Sequence, residues 1–180
     1  MKVIIIGKGH GWQDAPFEGE CWGITQLILR RHVTRVIDLN DYTLWGPDEA
    51  RDARWARQEA ARNGVPYIDR DNYPLKEIIE YFGTDYFSNT VDYAIALALY
   101  EGFTEIDLYG VNLSCLSEYI YLKAGVEYWI GRAQGMGAKV RAYGESSVLK
   151  TKDGKLYGYG TKQRKADGTL RELGTPVSLW

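Results

Sequence analysis

With 180 residues, 26% of them charged, and a formal net charge of −2, the chain is long enough for one domain with a central sheet and helices on both faces. That charge balance argues against retention on nucleic acid by bulk electrostatics, and no apolar run approaches the ~20 residues that span a bilayer. Met1 to Ile6 carries one lysine and a very short apolar run, the form of a strand rather than of a signal peptide, so a cytoplasmic location is expected.

Two cysteines, Cys21 and Cys115, are too few for a disulfide framework, and neither stands in a cluster with metal-ligand spacing. Six tryptophans and fourteen tyrosines are many for this length; most suit packing, and some could stack on a base or sugar.

In chain order, Val3 to Ile6 is a run of four β-branched residues that suits a strand buried on both faces, and the glycines at 7, 9 and 11 follow it directly. A strand running into such a loop is a candidate ligand cradle, because ligands of open α/β sheets sit beyond the carboxyl ends of the strands. Gln13 to Gly19, broken by Pro16, predicts a short irregular crossing. Glu20 to Thr25 predicts a second strand with Thr25 at its carboxyl end, Gln26 to His32 one or two helical turns, and Val33 to Leu39 a third strand with polar Asp38, Asn40 and Asp41 clustered at its end.

Pro47 to Gly64 predicts an exposed helix with Asp48 and Glu49 at its amino end, its arginines mixed with acids as on a solvated face. Val65 to Asp69 predicts a short strand, and Pro74 to Phe82 a short helix with Leu75, Ile78, Ile79 and Phe82 on one face. Phe87-Ser88-Asn89-Thr90 opens a helix whose apolar residues from Ala94 to Leu99 leave little polar surface, so it should be buried, with Ser88, Asn89 or Thr90 as its cap. Gly102 ends it, and Glu105 to Val111 predicts the next strand, ending at Asn112. Glu118 to Gly135 predicts an aromatic-rich helix and Ala138 to Tyr143 a late strand, followed by the polar loop Gly144 to Ser147. From about residue 150, Lys-Asp-Gly and Ala-Asp-Gly turns separate short pieces such as Leu156-Tyr157-Gly158-Tyr159, which predicts a hairpin or arm over 150–180 beside a main unit over 1–149. That arm could cover the site or meet a second subunit.

Polar residues fall at one end of nearly every predicted strand, partly because loops are polar. The glycine loop, Gly-x-Gly-x-Gly-Trp, lacks the third glycine position of the dinucleotide fingerprint, and Gly-x-x-x-x-Gly-Lys-Ser/Thr is absent, which argues against an NAD-dependent dehydrogenase and a Walker-type ATPase.

The strand ending in Gly7-Lys8-Gly9-His10-Gly11, the strand ending in Trp22-Gly23-Ile24-Thr25, and the stretch from Ser88-Asn89-Thr90 through Ala96-Leu97-Ala98 to Leu108-Tyr109-Gly110-Val111-Asn112 resemble one superfamily over about the first 150 residues. It contains bacterial sialyltransferases that use CMP-sialic acid and archaeal hydroxymethylpterin pyrophosphokinase-like proteins. Small phage-encoded proteins of unassigned role are the most similar in pattern, including at Glu118-Tyr119 and Tyr128 to Ala133.

The resemblance implies a Rossmann-like three-layer α/β fold with a mainly parallel sheet, and a pocket for a nucleotide or nucleotide-sugar lined by Gly7, Gly9, Ser88, Asn89, Thr90 and the strand end at Asn112. Lys8 and Thr25 stand where the sialyltransferases have Asn, and Asn112 where an acid is expected. Losing that acid counts against magnesium-dependent pyrophosphokinase chemistry, and no metal is expected.

The candidate ligand-binding residues are thus Gly7, Lys8, Gly9, Gly11, Thr25, Asp38, Ser88, Asn89, Thr90 and Asn112, with His10 as candidate base and Glu118 as candidate acid, base or ribose ligand. The sialyltransferases carry their basic histidine elsewhere in the chain. Two readings follow: a glycosyltransferase-like enzyme using a nucleotide-activated donor, or a non-catalytic protein that binds or sequesters a nucleotide. The acceptor is not readable from the sequence. Nucleic acid is a further partner suggested only by the phage likeness and unsupported by net charge, and a phage origin would place the protein in the host cytoplasm.

Overall fold

The computed structural model describes residues 1–44, 46–114 and 118–151, together with 163–164 and 170–171. The chain divides into two compact units, Met1–Val148 and Leu149–Trp180.

The first unit is built on a six-stranded sheet, all of it parallel. Its strands are β1 (Lys2–Ile6), β2 (Cys21–Ile24), β3 (Arg35–Asp38), β4 (Tyr67–Asp69), β5 (Glu105–Tyr109) and β6 (Lys139–Ala142), in the order β4-β3-β2-β1-β5-β6. The chain moves outward from β1 to β4 on one side, then crosses back to lay β5 and β6 on the other. The order reverses between β1 and β5, and the crevice beyond their carboxyl ends is where such sheets bind ligands.

The run of β-branched residues in β1 is explained by helices on both faces. Val3 and Ile5 point into one core with α2 (Leu75–Phe82), α3 (Thr90–Tyr100) and α4 (Lys123–Gly135), whereas Ile4 and Ile6 point into a second core with Leu27, Ile28, Ala56 and Ala60. Full burial of each such side chain contributes about 2 kcal/mol. Sheet and flanking helices make a three-layer, Rossmann-like α/β fold.

Where the structure departs from the sequence reading, packing gives the reason. The helix α1 spans Pro47–Arg62, and its inner face is buried, because Ala53, Ala56 and Ala60 lie against the sheet. Small side chains let the helix approach closely, and the arginines and acids around them mask that alanine stripe in the sequence. In α2 Ile78 and Phe82 are buried, but Leu75 is exposed at the helix start. The helix expected over Glu118–Gly135 begins as a π-helical turn, Glu118–Leu122, before α4 proper. Thr25 does not continue its strand; it turns to φ 54° and opens a 3-10 turn, Thr25–Leu29.

Of the second unit, β7 (Gln163–Arg164) and β8 (Leu170–Arg171) pair antiparallel. Leu156 to Tyr159 lie outside the described residues. Among the described residues no helix is long and apolar enough to cross a membrane.

Candidate functional site

The loops after β1 and β5 are locked together at the point where the strand order reverses. Gly7 donates its N–H to Tyr109 O and Gly9 donates to Gly110 O, each at 2.8 Å. A Cβ on Gly7 would lie 2.5 Å from Gly110 O, and one on Gly9 would lie 2.7 Å from the same oxygen. The glycines therefore allow a close approach, as their spacing suggested, but the chain approached is the β5 loop. Both N–H groups are used inside the protein and are not spare donors.

Beside these loops lies a crevice of about 490 Å³ whose walls include Gly7, Lys8, Gly9, Thr25, Ser88, Asn89, Thr90 and Asn112. Lys8 extends its Nζ to Gln26 Oε1, 2.9 Å away, and burial among the walls lowers its pKa against the opposing pull of Asp38. At the start of α3 the backbone N–H of Thr90 stands in the first helical turn, where no intrahelical acceptor exists. The partial positive charge of that end suits an anion.

Thr25, on the wall of this crevice, carries an unmet hydrogen-bonding group. The residue is only 3% exposed, its Oγ1 has no hydrogen-bond partner among the described residues, and its backbone holds a conformation rare for a β-branched residue. A buried hydroxyl without a partner costs about 1–3 kcal/mol, and positive φ adds to that. A ligand atom in the crevice would give the hydroxyl its missing partner. Leu113, on the opposite wall, is likewise held at φ 44°.

At the helix start the Ser88 and Asn89 side chains are already engaged within the protein. Asn89 caps α3 by accepting from Val91 N at 2.8 Å, and its Nδ2 donates to Leu122 O at 3.1 Å and to Asp92 Oδ1 at 3.0 Å. Asp92 is fully buried and accepts from both Ser88 N and Ser88 Oγ at 2.7 Å. Together these side chains clamp the α3 start to the π-turn. On the sequence reading Asn89→Ala should weaken binding more than stability; the clamp reverses that expectation. The variant is expected to lose about 2 kcal/mol, read as a lower midpoint in urea with unchanged m-value, and an unaltered midpoint would refute the clamp.

The other candidates lie elsewhere. His10 does not line the crevice: its side chain is 79% exposed and faces an equally exposed Glu145 at 3.9 Å. Gly11, at φ 85°, opens the 3-10 turn Trp12–Asp14 and is also outside it. The Glu118 side chain lies outside the described structure. Asp38 is buried, with both carboxylate oxygens engaged by Tyr42 Oη and one also by Tyr67 Oη at 2.6 Å. Burial, reinforced by that carboxylate, raises the pKa of both tyrosines, so they remain donors.

Gln26, Tyr42, Glu49, Asp52 and Leu122, none of them a candidate for the site on the sequence reading, also line the crevice. Glu49 and Asp52 share one face of α1 by their i, i+3 spacing, a signal hidden within a helix read as solvated. Among the described residues no three His, Cys, Asp or Glu side chains converge as metal ligands.

The class defined by this geometry is a parallel α/β protein with a ligand crevice at the reversal of strand order. No family model matches the chain, and no curated protein sequence matches it. Among solved structures it is similar to a thiamine pyrophosphokinase from Bacillus subtilis, at 14% identity over 79% of this chain with a TM-score of 0.48; the chain spans 60% of that protein's length. It is also similar to an α-2,3-sialyltransferase from Campylobacter jejuni in apo form, at 15% identity over 78% of this chain and 74% of that one, TM-score 0.47. A third is the C. jejuni sialyltransferase CstII in complex with cytidine-5'-monophosphate, at 14% identity and 78% coverage of both chains, TM-score 0.45.

Proposed function

We propose that the chain is a nucleotide- or nucleotide-sugar-dependent transferase whose crevice between the β1 and β5 loops takes the nucleotide. The observation that carries this reading is the partnerless hydroxyl of Thr25, buried in the same crevice that Lys8 and the α3 amino end supply with positive charge. In the proposed transfer the bond between the donor group and a nucleotide phosphate oxygen breaks, and a new bond forms to an acceptor hydroxyl. Its proton passes to a carboxylate, and the leaving phosphate gathers charge beside Lys8. With His10 outside the crevice, Asp52 and Glu49 are the bases within reach of it.

A second reading, nucleotide binding without turnover, draws support from the absence of histidine in the crevice and from Glu49, whose carboxylate is folded back over Gly46 at the start of α1. Release of free sugar or transfer of label from a radiolabelled nucleotide-sugar supports the first reading; tight binding with the ligand recovered intact supports the second.

Binding itself is tested by thermal shift against CMP, UMP, AMP, GMP and their sugar conjugates. At least one should raise the melting temperature of the wild type. Thr25→Gly should be about 1 kcal/mol more stable than wild type without ligand, because strain and the lone hydroxyl are both removed, yet respond less to that nucleotide. No response to any nucleotide, or an undiminished response in the variant, would overturn the proposal.

A further inference from the structure

A second cleft, of about 420 Å³, lies at the carboxyl ends of β3 and β4, roofed by α1, and shares Asn40 and Tyr42 with the crevice described above. Its size falls within the range of small-molecule sites. Six of its residues are ionisable to a full charge near neutrality: Asp38, Asp69 and Asp71, with Arg54, Arg57 and Arg70. Their charges cancel, so the cleft as a whole attracts neither anions nor cations.

Most of these charges are already answered within the protein. Asp38 is held by Tyr42, Tyr67 and Asn40; Arg57 pairs with Asp69 at 2.5 Å, and Arg70 with Asp41 at 2.6 Å. Two remain. Among the described residues the Arg54 guanidinium and the Asp71 carboxylate have no hydrogen bond or ion pair, and they do not pair with each other although both line the cleft. Ala50 and Ala53 on α1 leave the space open, where longer side chains would fill it.

We propose that this cleft binds a small zwitterion of amino-acid type, its carboxylate taken by Arg54 and its ammonium by Asp71. A simple anion would be drawn by Arg54 and repelled by Asp71, and a simple cation the reverse; a molecule with both ends satisfies both. Arg54 can meet a carboxylate with two parallel N–H donors, a geometry an ammonium side chain lacks. The shared wall at Asn40 and Tyr42 would place the zwitterion beside whatever fills the first crevice, but the assignment does not depend on that ligand being a nucleotide.

The test is a titration of the ¹⁵N-labelled full chain, followed by amide resonances, with mixtures of the twenty amino acids, then separately with inorganic phosphate, putrescine and glucose. At least one amino acid should shift the Ala50, Ala53 and Asp71 amides saturably, and Arg54→Leu and Asp71→Leu should each weaken it by about tenfold or more. The amides of Lys8 and Thr90 report the first crevice in the same spectra, so nucleotide-induced shifts there, unchanged in both variants, keep the two proposals apart. Shifts of the cleft amides by phosphate, putrescine or glucose as strong as by any amino acid would overturn the assignment. So would silence from all twenty amino acids, or unweakened binding in both variants.

Discussion

Replacing Gly110 with alanine is expected to destabilise the protein by about 3 kcal/mol. Two penalties meet at this position. Its φ is +61°, a region where an L side chain costs about 1–2 kcal/mol. Its Cβ would also lie 2.8 Å from Gly7 O and Trp12 Cβ and 2.9 Å from Gly9 O, all held by the β1–β5 lock. Gly144 separates the two penalties, since it has φ +70° but nothing within 4 Å of an added Cβ. Gly144→Ala should therefore cost about 1 kcal/mol, the backbone part alone. Denaturant melts of the two variants measure the difference, and equal losses would show that the interlocked loops yield without cost. Because the same loops wall the crevice, Gly110→Ala should also blunt any ligand-induced rise in melting temperature.

The contribution of Asp92 to stability should fall as pH rises from about 4 to about 6. Burial pushes its pKa up to about 6, although Ser88 and Asn89 donate hydrogen bonds that favour the ionised form. In the unfolded chain the same carboxyl titrates near its ordinary value of about 4. Between those two values the folded state binds more protons than the unfolded state, so ΔG of unfolding decreases with pH. Below the window both states are protonated and the penalty vanishes; above it both are ionised and the penalty is complete. A shift of about two pH units amounts to about 3 kcal/mol over the whole window. Asp92→Asn removes this titration, so its stability relative to wild type should rise between pH 4 and pH 7.5 by most of that amount. Parallel pH profiles for the two proteins would show that Asp92 does not change its proton affinity on folding.

The penalty has a structural return. An ionised Asp92 accepts from Ser88 and Asn89 at once and so fixes the start of α3 against the π-turn at Leu122. Gly125 on α4 makes room for this clamp, since a Cβ there would collide with Ser88 Oγ and Asp92 Oδ2. The backbone donors of the helix start are thereby held in place before any ligand arrives, a form of preorganisation.

Local composition settled a good deal. The β-branched run in β1 predicts a doubly covered central strand, the apolar stretch of α3 predicts a buried helix, and Asn89 is among its predicted caps. The polar strand ends from Lys8 to Asn112 lie together because every strand of the six-stranded sheet is parallel, which places their carboxyl ends on one edge. Side-chain pattern and chain direction suffice for such inferences, since both are properties of neighbouring residues.

What belonged to the tertiary structure alone were the partners. Gly7 and Gly9 look like a ligand cradle until the β5 loop, about a hundred residues away in sequence, is seen to occupy their N–H groups. Asn89 looks available until Leu122 and Asp92 claim it, and His10 looks catalytic until its loop carries it away from the crevice. Thr25 reads as a candidate ligand residue at a strand end, and only folding buries its hydroxyl without a partner among the described residues. A residue's type sets what hydrogen bonds and charges it can offer, and that is written in the sequence; whether those offers are already taken depends on contacts between distant segments, which hydrophobic packing of the whole sheet decides.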